Sequence, residues 1–406
     1  MYLCSEATAF SATYSPAIMN DFTINGMPPY DWVSAASTPV EEEVAEFVKK
    51  WLSPIEYIEV HTSGSTGMPK LIRHPKQAML NSAHLTCDYL HLQPGMNALL
   101  CLSAKNIAGM MMVVRAFERG LNLRIVAPGS HPLRVPVQDR PPDAFTPPTP
   151  LQPIDFCAMV PAQVFNSLHD PEQKKRLEGI RNLIVGGAPI SYRLKLEMAS
   201  LPEKVWSTFG MTETISHIAL QKLNGTDASD DYTLMEGITI QTGDDGNLII
   251  HAPHLSDAPM ITHDLVEITG PRTFRWLGRS DHVINSGGFK IFPETVERKI
   301  APVLDAYQQT GLPRDAGHTG DTEGSTQRYF IASLPDSKLG SLPILVLEGP
   351  EPDPVQKEQL VQEFQTILPR HEVPRHIFFV TRFIETPTHK IIRSATLKKC
   401  FRSPQP

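Results

Sequence analysis

Ten consecutive residues, His61-Thr62-Ser63-Gly64-Ser65-Thr66-Gly67-Met68-Pro69-Lys70, bring together four hydroxyls, two glycines and one lysine with little apolar bulk. Glycine lets backbone N–H groups close on an anion, hydroxyls add donors, and Lys70 adds a compact positive charge. This composition suits a polyphosphate. It is not a Walker A loop, which needs Gly-Lys-Ser/Thr, because Lys70 follows Pro69. A Ser/Gly-rich surface turn is the competing reading. Tyr57-Ile58-Glu59-Val60 just before it reads as a strand. The loop is therefore expected at a strand's carboxyl end, where open α/β sheets hold ligands.

Further groups with chemical potential follow in order. Gly186-Gly187-Ala188-Pro189 ends a strand-like run and leaves room for a flat ring against backbone; a plain β-turn is the alternative. In Phe209-Gly210-Met211-Thr212-Glu213, Phe209 can stack on a base, Thr212 can donate to a phosphate and Glu213 can hold Mg²⁺. The same residues also fit a capped helix start. Asp264, in Thr262-His263-Asp264-Leu265, is a carboxylate suited to the two hydroxyls of a ribose, or part of a common turn. Arg279, in Gly278-Arg279-Ser280-Asp281, offers a cation, and Gly287-Gly288 a flexible pair. Lys390 lies in Pro387-Thr388-His389-Lys390, a tight turn near the C-terminus; such a lysine is ordinarily solvated.

The elements that must position these groups alternate. An amphipathic helix signal covers Pro39–Leu52. Strand-like runs at Ala98–Leu102, Leu123–Val126, Phe156–Val160 and Leu183–Val185 are separated by helical patterns. Gly109–Glu118 ends at Gly120, and Pro161 opens another helix. The fold class expected is α/β: a large N-terminal domain with a mostly parallel sheet and helices on both faces. Later, strands at Tyr329–Leu334, Ile344–Glu348 and His376–Val380, with helices starting at Pro293 and around Leu360–Leu368, indicate a small α+β domain. A polar stretch at Gly278–Asp281 separates residues 1–279 from 280–406. Pro132 to Pro153 holds eight prolines and reads as an extended connection.

The bulk properties narrow the class. With 406 residues the chain exceeds one compact core. A net charge of −7 argues against a nucleic-acid surface. Five scattered cysteines, without metal-ligand spacing, favour a reduced, cytoplasmic setting. No signal-peptide pattern and no stretch approaching a membrane span is present. A homo-oligomer is compatible with the sequence.

Taken in order, these segments resemble the AMP-forming acyl-CoA synthetase family of adenylate-forming enzymes. Thr62–Lys70 is similar to its phosphate loop, and Phe209–Glu213 to its Tyr-Gly-Met-Thr-Glu element. Thr262–Leu265 is similar to Thr-Gly-Asp-Leu, with His263 for Gly, and Gly278–Asp281 to the domain hinge. Pro387–Arg393 is similar to its C-terminal lysine loop, with His389 for Gly. Within the family, Gly210–Leu220 and Ile284–Gly288 look most like the o-succinylbenzoate–CoA ligases of menaquinone synthesis. The family has a longer portion ahead of its phosphate loop than the 61 residues found here, so a shortened N-terminal portion is expected.

The resemblance implies a two-step ligase using ATP, Mg²⁺ and coenzyme A on a small carboxylic acid. Lys390, Glu213 and Thr212 would be catalytic, with Glu213 also the metal ligand. Thr62, Ser63, Gly64, Ser65, Thr66, Gly67 and Lys70 would hold the β- and γ-phosphates. Gly187, Ala188, Pro189, Phe209, Asp264 and Arg279 would hold adenosine. The small domain would turn between the steps at Asp281, exchanging Lys390 for the Gly287-Gly288 segment. Lys105 and Asn106 stand where relatives have an aromatic-His pair. With His217 they are the candidates for the acid's second carboxylate, although a solvated Lys105 is an equal reading.

Overall fold

The computed structural model describes residues 22–61, 70–134, 153–311, 328–351, 354–386 and 391–402. Chain order runs β1 (Thr23–Ile24), α1 (Pro29–Ala35), α2 (Pro39–Leu52), β2 (Tyr57–His61), β3 (Leu71–Pro75), α3 (Lys76–Tyr89), β4 (Asn97–Leu100), α4 (Ile107–Arg119), β5 (Asn122–Ile125), β6 (Phe156–Met159), α5 (Pro161–Leu168), α6 (Pro171–Leu177), β7 (Asn182–Val185), α7 (Tyr192–Ala199) and β8 (Lys204–Gly210). It continues with β9 (His217–Lys222), β10 (Tyr232–Leu234), β11 (Thr239–Thr242), β12 (Asn247–His251), β13 (Met260–Gly270) and β14 (Thr273–Arg279).

Twelve of these strands form one sheet in the order β1-β5-β4-β6-β7-β8-β9-β10-β14-β13-β12-β11. Pairings from β1 to β8 are parallel. All later pairings are antiparallel. The sheet is thus mixed rather than mostly parallel. Helical crossovers connect the parallel strands, whereas β8 to β14 are joined by short turns that return the chain antiparallel. Helices do cover both faces, and the strand alternation shows why. Ala98, Leu100, Phe156, Ala158 and Ile184 point into the layer with α2, α3 and α4. Leu99, Cys101, Cys157, Met159, Leu183 and Val185 point into the layer with α5 and α7. Both sets are buried, as a parallel sheet covered on two sides requires.

Local signals set the helix ends. Thr38 caps α2: its Oγ1 accepts from Glu41 N at 3.3 Å while Thr38 N donates to Glu41 Oε2 at 3.1 Å, with Pro39 at the first position. Gly120 ends α4 in the left-handed region, φ +64°.

The strand preceding the loop expected to bind polyphosphate is not part of the large sheet. β2 and β3 pair antiparallel with each other, from Tyr57↔Pro75 to His61↔Leu71. The loop therefore joins the two arms of a hairpin, and residues 62–69 lie outside the described residues. Most of the proline-rich stretch does too.

The C-terminal part comprises β15 (Ile284–Ser286), β16 (Phe289–Ile291), α8 (Pro293–Gly311), β17 (Tyr329–Asp336), β18 (Gly340–Glu348), α9 (Pro354–Ile367), β19 (His376–Val380) and α10 (Arg393–Arg402). Its five strands form a second sheet with cores of their own. The large sheet ends at Arg279 and the small one starts at Ile284. Among the described residues, no helix is long and apolar enough to cross a membrane.

Candidate active site

Several predicted groups gather at the ends of β7 and β8. Gly186 leaves β7 where a Cβ would lie 2.0 Å from Thr208 Oγ1, so only glycine allows the two strand ends to approach. Gly187 follows at φ +83°, and Ala188-Pro189 continues the turn. Phe209 is half-buried on β8. Its ring meets Phe274 edge-on at 5.1 Å and Tyr232 at 5.5 Å, so an aromatic cluster fixes its orientation.

Met211–Ser216 connects β8 to β9 as a tight turn, which removes the helix-start reading of Thr212 and Glu213. Buried Thr214 organises it: Met211 N donates to Thr214 Oγ1 at 2.9 Å, and that oxygen lies 2.8 Å from Ser216 O. Thr212 is half-buried and Glu213 exposed at the apex. Behind the turn lies His74 of β3, 4% exposed, with Nε2 unpartnered among the described residues. Burial pushes its pKa down, opposed by the Thr212 carbonyl and the Glu213 charge. The arm that leaves the loop of residues 62–69 thus packs against the Thr212-Glu213 turn.

Asp264 lies inside β13, not in a turn, and is half-buried. Its Oδ1 accepts from Trp276 Nε1 at 3.0 Å, and its backbone is in register with Arg279 of the neighbouring strand. Arg279 is gripped by Asp281 through two bonds of 3.0 Å, which raise its pKa. Gly287 and Gly288, at φ +56° and +85°, form the two-residue turn of the β15–β16 hairpin. Lys390 lies outside the described residues.

The proposed acid-binding side chains separate. Lys105 is 78% exposed, its Nζ 3.4 Å from Glu43 Oε2. Asn106 is exposed ahead of α4 and caps nothing with its side chain. The structure does not bring these two to His217, which is buried at the start of β9.

His217 instead meets a residue that sequence reasoning missed. Arg115 of α4 is 2% exposed, and no carboxylate pairs with it among the described residues. Burial lowers its pKa to about 10, which leaves it charged at neutral pH. Arg115 Nη2 donates to Ser216 Oγ at 2.5 Å, while Nε has no partner. Ser216 Oγ is 3.3 Å from His217 Nδ1, His217 Nε2 is 3.1 Å from Thr86 Oγ1, and Thr86 Oγ1 donates to Ser82 O at 3.1 Å. Thr86 spends its one proton on Ser82, so His217 donates from Nε2 and accepts from Ser216 at Nδ1. The chain runs in one direction from Arg115. A fully buried cation without an anion is costly. The signal was a lone charge inside the otherwise apolar Met110–Phe117 run.

Burial, then the nearby Arg115 charge, holds His217 well below the ordinary histidine value. It is neutral when folded and titrates near 6.5 when unfolded. The unfolded chain therefore takes up the proton first. This contribution to stability is complete above pH about 6.5 and is lost as pH falls below it, with a slope approaching 1.4 kcal/mol per unit. Urea unfolding of wild type and His217→Gln between pH 7.5 and 5 checks this: the variant should lose about that much less per pH unit.

A surface cleft of about 390 Å³ lined by His131, Arg134, Phe165, Asn166, His169 and Asp170 contains none of these groups.

A family profile described as "AMP-binding enzyme" matches residues 29–238. A solved structure from Dyadobacter fermentans, titled an acyl-CoA synthetase (AMP-forming)/AMP-acid ligase II-like protein, is 33% identical with TM-score 0.56, over 91% of this chain and 97% of that one. The 2-succinylbenzoate–CoA ligase of Salmonella typhimurium is 24% identical over 80% of this chain; the match spans 65% of the ligase's own length. The o-succinylbenzoate CoA synthetase of Bacillus subtilis, solved with ATP and magnesium, shares the fold at TM-score 0.60 and 17% identity, over 84% of this chain and 69% of that one.

Proposed function

The chain belongs to the AMP-binding enzyme family, and on that premise we propose that it is an ATP-dependent, AMP-forming acid–CoA ligase whose acid is o-succinylbenzoate. The observation that carries the choice of acid is Arg115. An aromatic acid with two carboxylates activates one and must bury the other, and a buried guanidinium without an anion answers that need. The Salmonella relative's named substrate supports the same acid.

In the first step a substrate carboxylate oxygen attacks the α-phosphorus of ATP in line with departing pyrophosphate. Charge grows on the equatorial oxygens, so positioning and electrostatics do most of the work. Thr62–Lys70 would hold the leaving phosphates, with Lys390 at the α-phosphate. Gly187–Pro189 and Phe209 would flank adenine, and Asp264 would take the ribose hydroxyls. Arg279 would join it there on leaving Asp281. Glu213, exposed and with no ion pair among the described residues, suits Mg²⁺, which takes one or two protein carboxylates alongside substrate phosphates. The bound ion would offset pyrophosphate charge. In the second step the CoA thiolate attacks the acyl carbon and AMP leaves, after the small domain has turned at Asp281.

Glu213→Gln keeps the shape and removes the charge. It is expected to raise the Mg²⁺ concentration needed for half-maximal adenylate formation by roughly a decade, about 1.4 kcal/mol. An unchanged Mg²⁺ titration removes Glu213 from this role.

The function is tested with a panel of acids assayed for pyrophosphate release with and without CoA. Preference for benzoate or a fatty acid identifies another aryl- or acyl-CoA synthetase. Adenylate formation without transfer to CoA indicates a carrier-protein-loading enzyme, and no release with any acid a nucleotide binder without catalysis.

A further inference from the structure

Glu294 opens α8 and is 9% exposed. Its Oε1 lies 2.5 Å from His282 Nδ1 and 3.3 Å from Arg393 Nη2. Its Oε2 is buried without a hydrogen-bond partner among the described residues. That oxygen faces Gly278: a Cβ there would be 2.4 Å from Oε2 and 3.2 Å from the carboxyl carbon. Gly278 belongs to β14 in the large sheet. His282, Glu294 and Arg393 all follow Asp281. One carboxylate is thus satisfied by the small sheet's side of the break and stranded against the other side.

Arg393 does not depend on Glu294 for its place. Glu297 holds it at 3.0 and 3.1 Å, the Ile331 carbonyl accepts from it at 3.2 Å, and it lies over the Phe330 ring. Arg279 and Asp281, beside the break, are paired with each other, and Thr295 and Arg298 of α8 donate to the Leu277 and Trp276 carbonyls of β14 at 2.8 and 2.9 Å.

We propose that Glu294 is a positioning residue that sets the balance between two arrangements of the large and small parts, and so between the two half-reactions. This rests on the ligase reading above. The contacts of Glu294 with His282 and Arg393 move together in a turn at Asp281, are present in both arrangements and cancel. The stranded oxygen meets Gly278 only in the present arrangement; a turn at Asp281 opens it to water. A buried charged oxygen without a donor is costly, so the carboxylate disfavours the present arrangement relative to a neutral group of the same shape.

Glu294→Gln replaces the buried carboxylate by a neutral amide of the same shape, whose burial costs less. It is expected to raise the population of the present arrangement on the order of tenfold. Gly278→Ala crowds Oε2 and is expected to shift the population the other way. Spin labels at Leu196 and Val355, both exposed, report the separation of the two parts in the full chain with Cys4 and Cys400 changed to serine. In parallel, ATP–pyrophosphate exchange with o-succinylbenzoate reads the first step, and thioester formation from supplied o-succinylbenzoyl-adenylate and CoA reads the second. The two rates in Glu294→Gln should move in opposite directions. Label distances unchanged in both variants, or the two rates falling together, would overturn the proposal. If distances shift as expected while wild type does not turn over o-succinylbenzoate, the positioning role of Glu294 stands and the substrate reading fails.

Discussion

Replacing Lys390 by alanine is expected to slow adenylate formation on the order of 10²–10³-fold, or about 3–4 kcal/mol, with ATP affinity little changed. The lysine's charge matters most where negative charge is greatest, at the α-phosphate in the transition state. A contact made mainly there appears in the rate and not in ground-state binding. Arg393, three residues on, is the anchored end of the segment: its guanidinium is held by Glu297 and a carbonyl, with Phe330 beneath. Loss of the lysine should leave that anchor, and the fold, intact. The variant should also still convert a supplied acyl-adenylate to thioester, because the second step needs no charge at that oxygen. Separate assays of the two steps give the answer. A normal first step in Lys390→Ala would remove the lysine from the mechanism.

Arg115→Met should produce opposite effects on stability and on catalysis. Replacing an unpaired, fully buried guanidinium by an apolar side chain of similar length removes a desolvation cost. Thermal stability should therefore be unchanged or raised, within a range of about 0–4 kcal/mol. The second carboxylate of o-succinylbenzoate would then be buried without a cation. Its kcat/KM should fall by roughly 10²-fold or more, about 3 kcal/mol, with benzoate much less affected. Lys105→Met is the control: that ammonium is 78% exposed beside Glu43, and its loss should leave the preference between the two acids as it was. A drop in stability together with an equal loss for both acids would make Arg115 a structural residue. A preference that moves with Lys105 and not with Arg115 would restore the sequence-based choice.

The contrast between these two cations marks where sequence reasoning stops. Lys105 and Arg115 both follow β4. The helical pattern of Gly109–Glu118 was plain, yet it did not indicate that Arg115 is sealed under Ser216 and His217, residues about a hundred positions later. Elements with strong local signals were legible: the amphipathic pattern from Pro39 in α2, Gly120 after α4, Pro161 at the start of α5. β9 was not, because its first five positions are buried and no polar alternation remains to read. The same loss of contrast hid the change from parallel to antiparallel pairing after β8. The Thr212-Glu213 turn had the composition of a helix start, and only its pairing partners decide otherwise. The family motifs were visible as an ordered set, whereas the pairing of Arg279 with Asp281, and the stranded oxygen of Glu294, exist only once the chain has folded.

β1 pairs with β5 across a separation of 99 residues, from Thr23↔Asn122 with a side-chain bond of 3.0 Å between the same two residues. During synthesis the first strand therefore has no partner until β5 has emerged, a delay of roughly 5–20 s at ordinary elongation rates. Because β1 lies at the end of the sheet order, the remaining strands can assemble without it. Its late arrival closes the exposed backbone of β5, so a segment made well before its partner is among the last to be needed, and until it docks it is the sheet's open edge that a chaperone or a second nascent chain would meet.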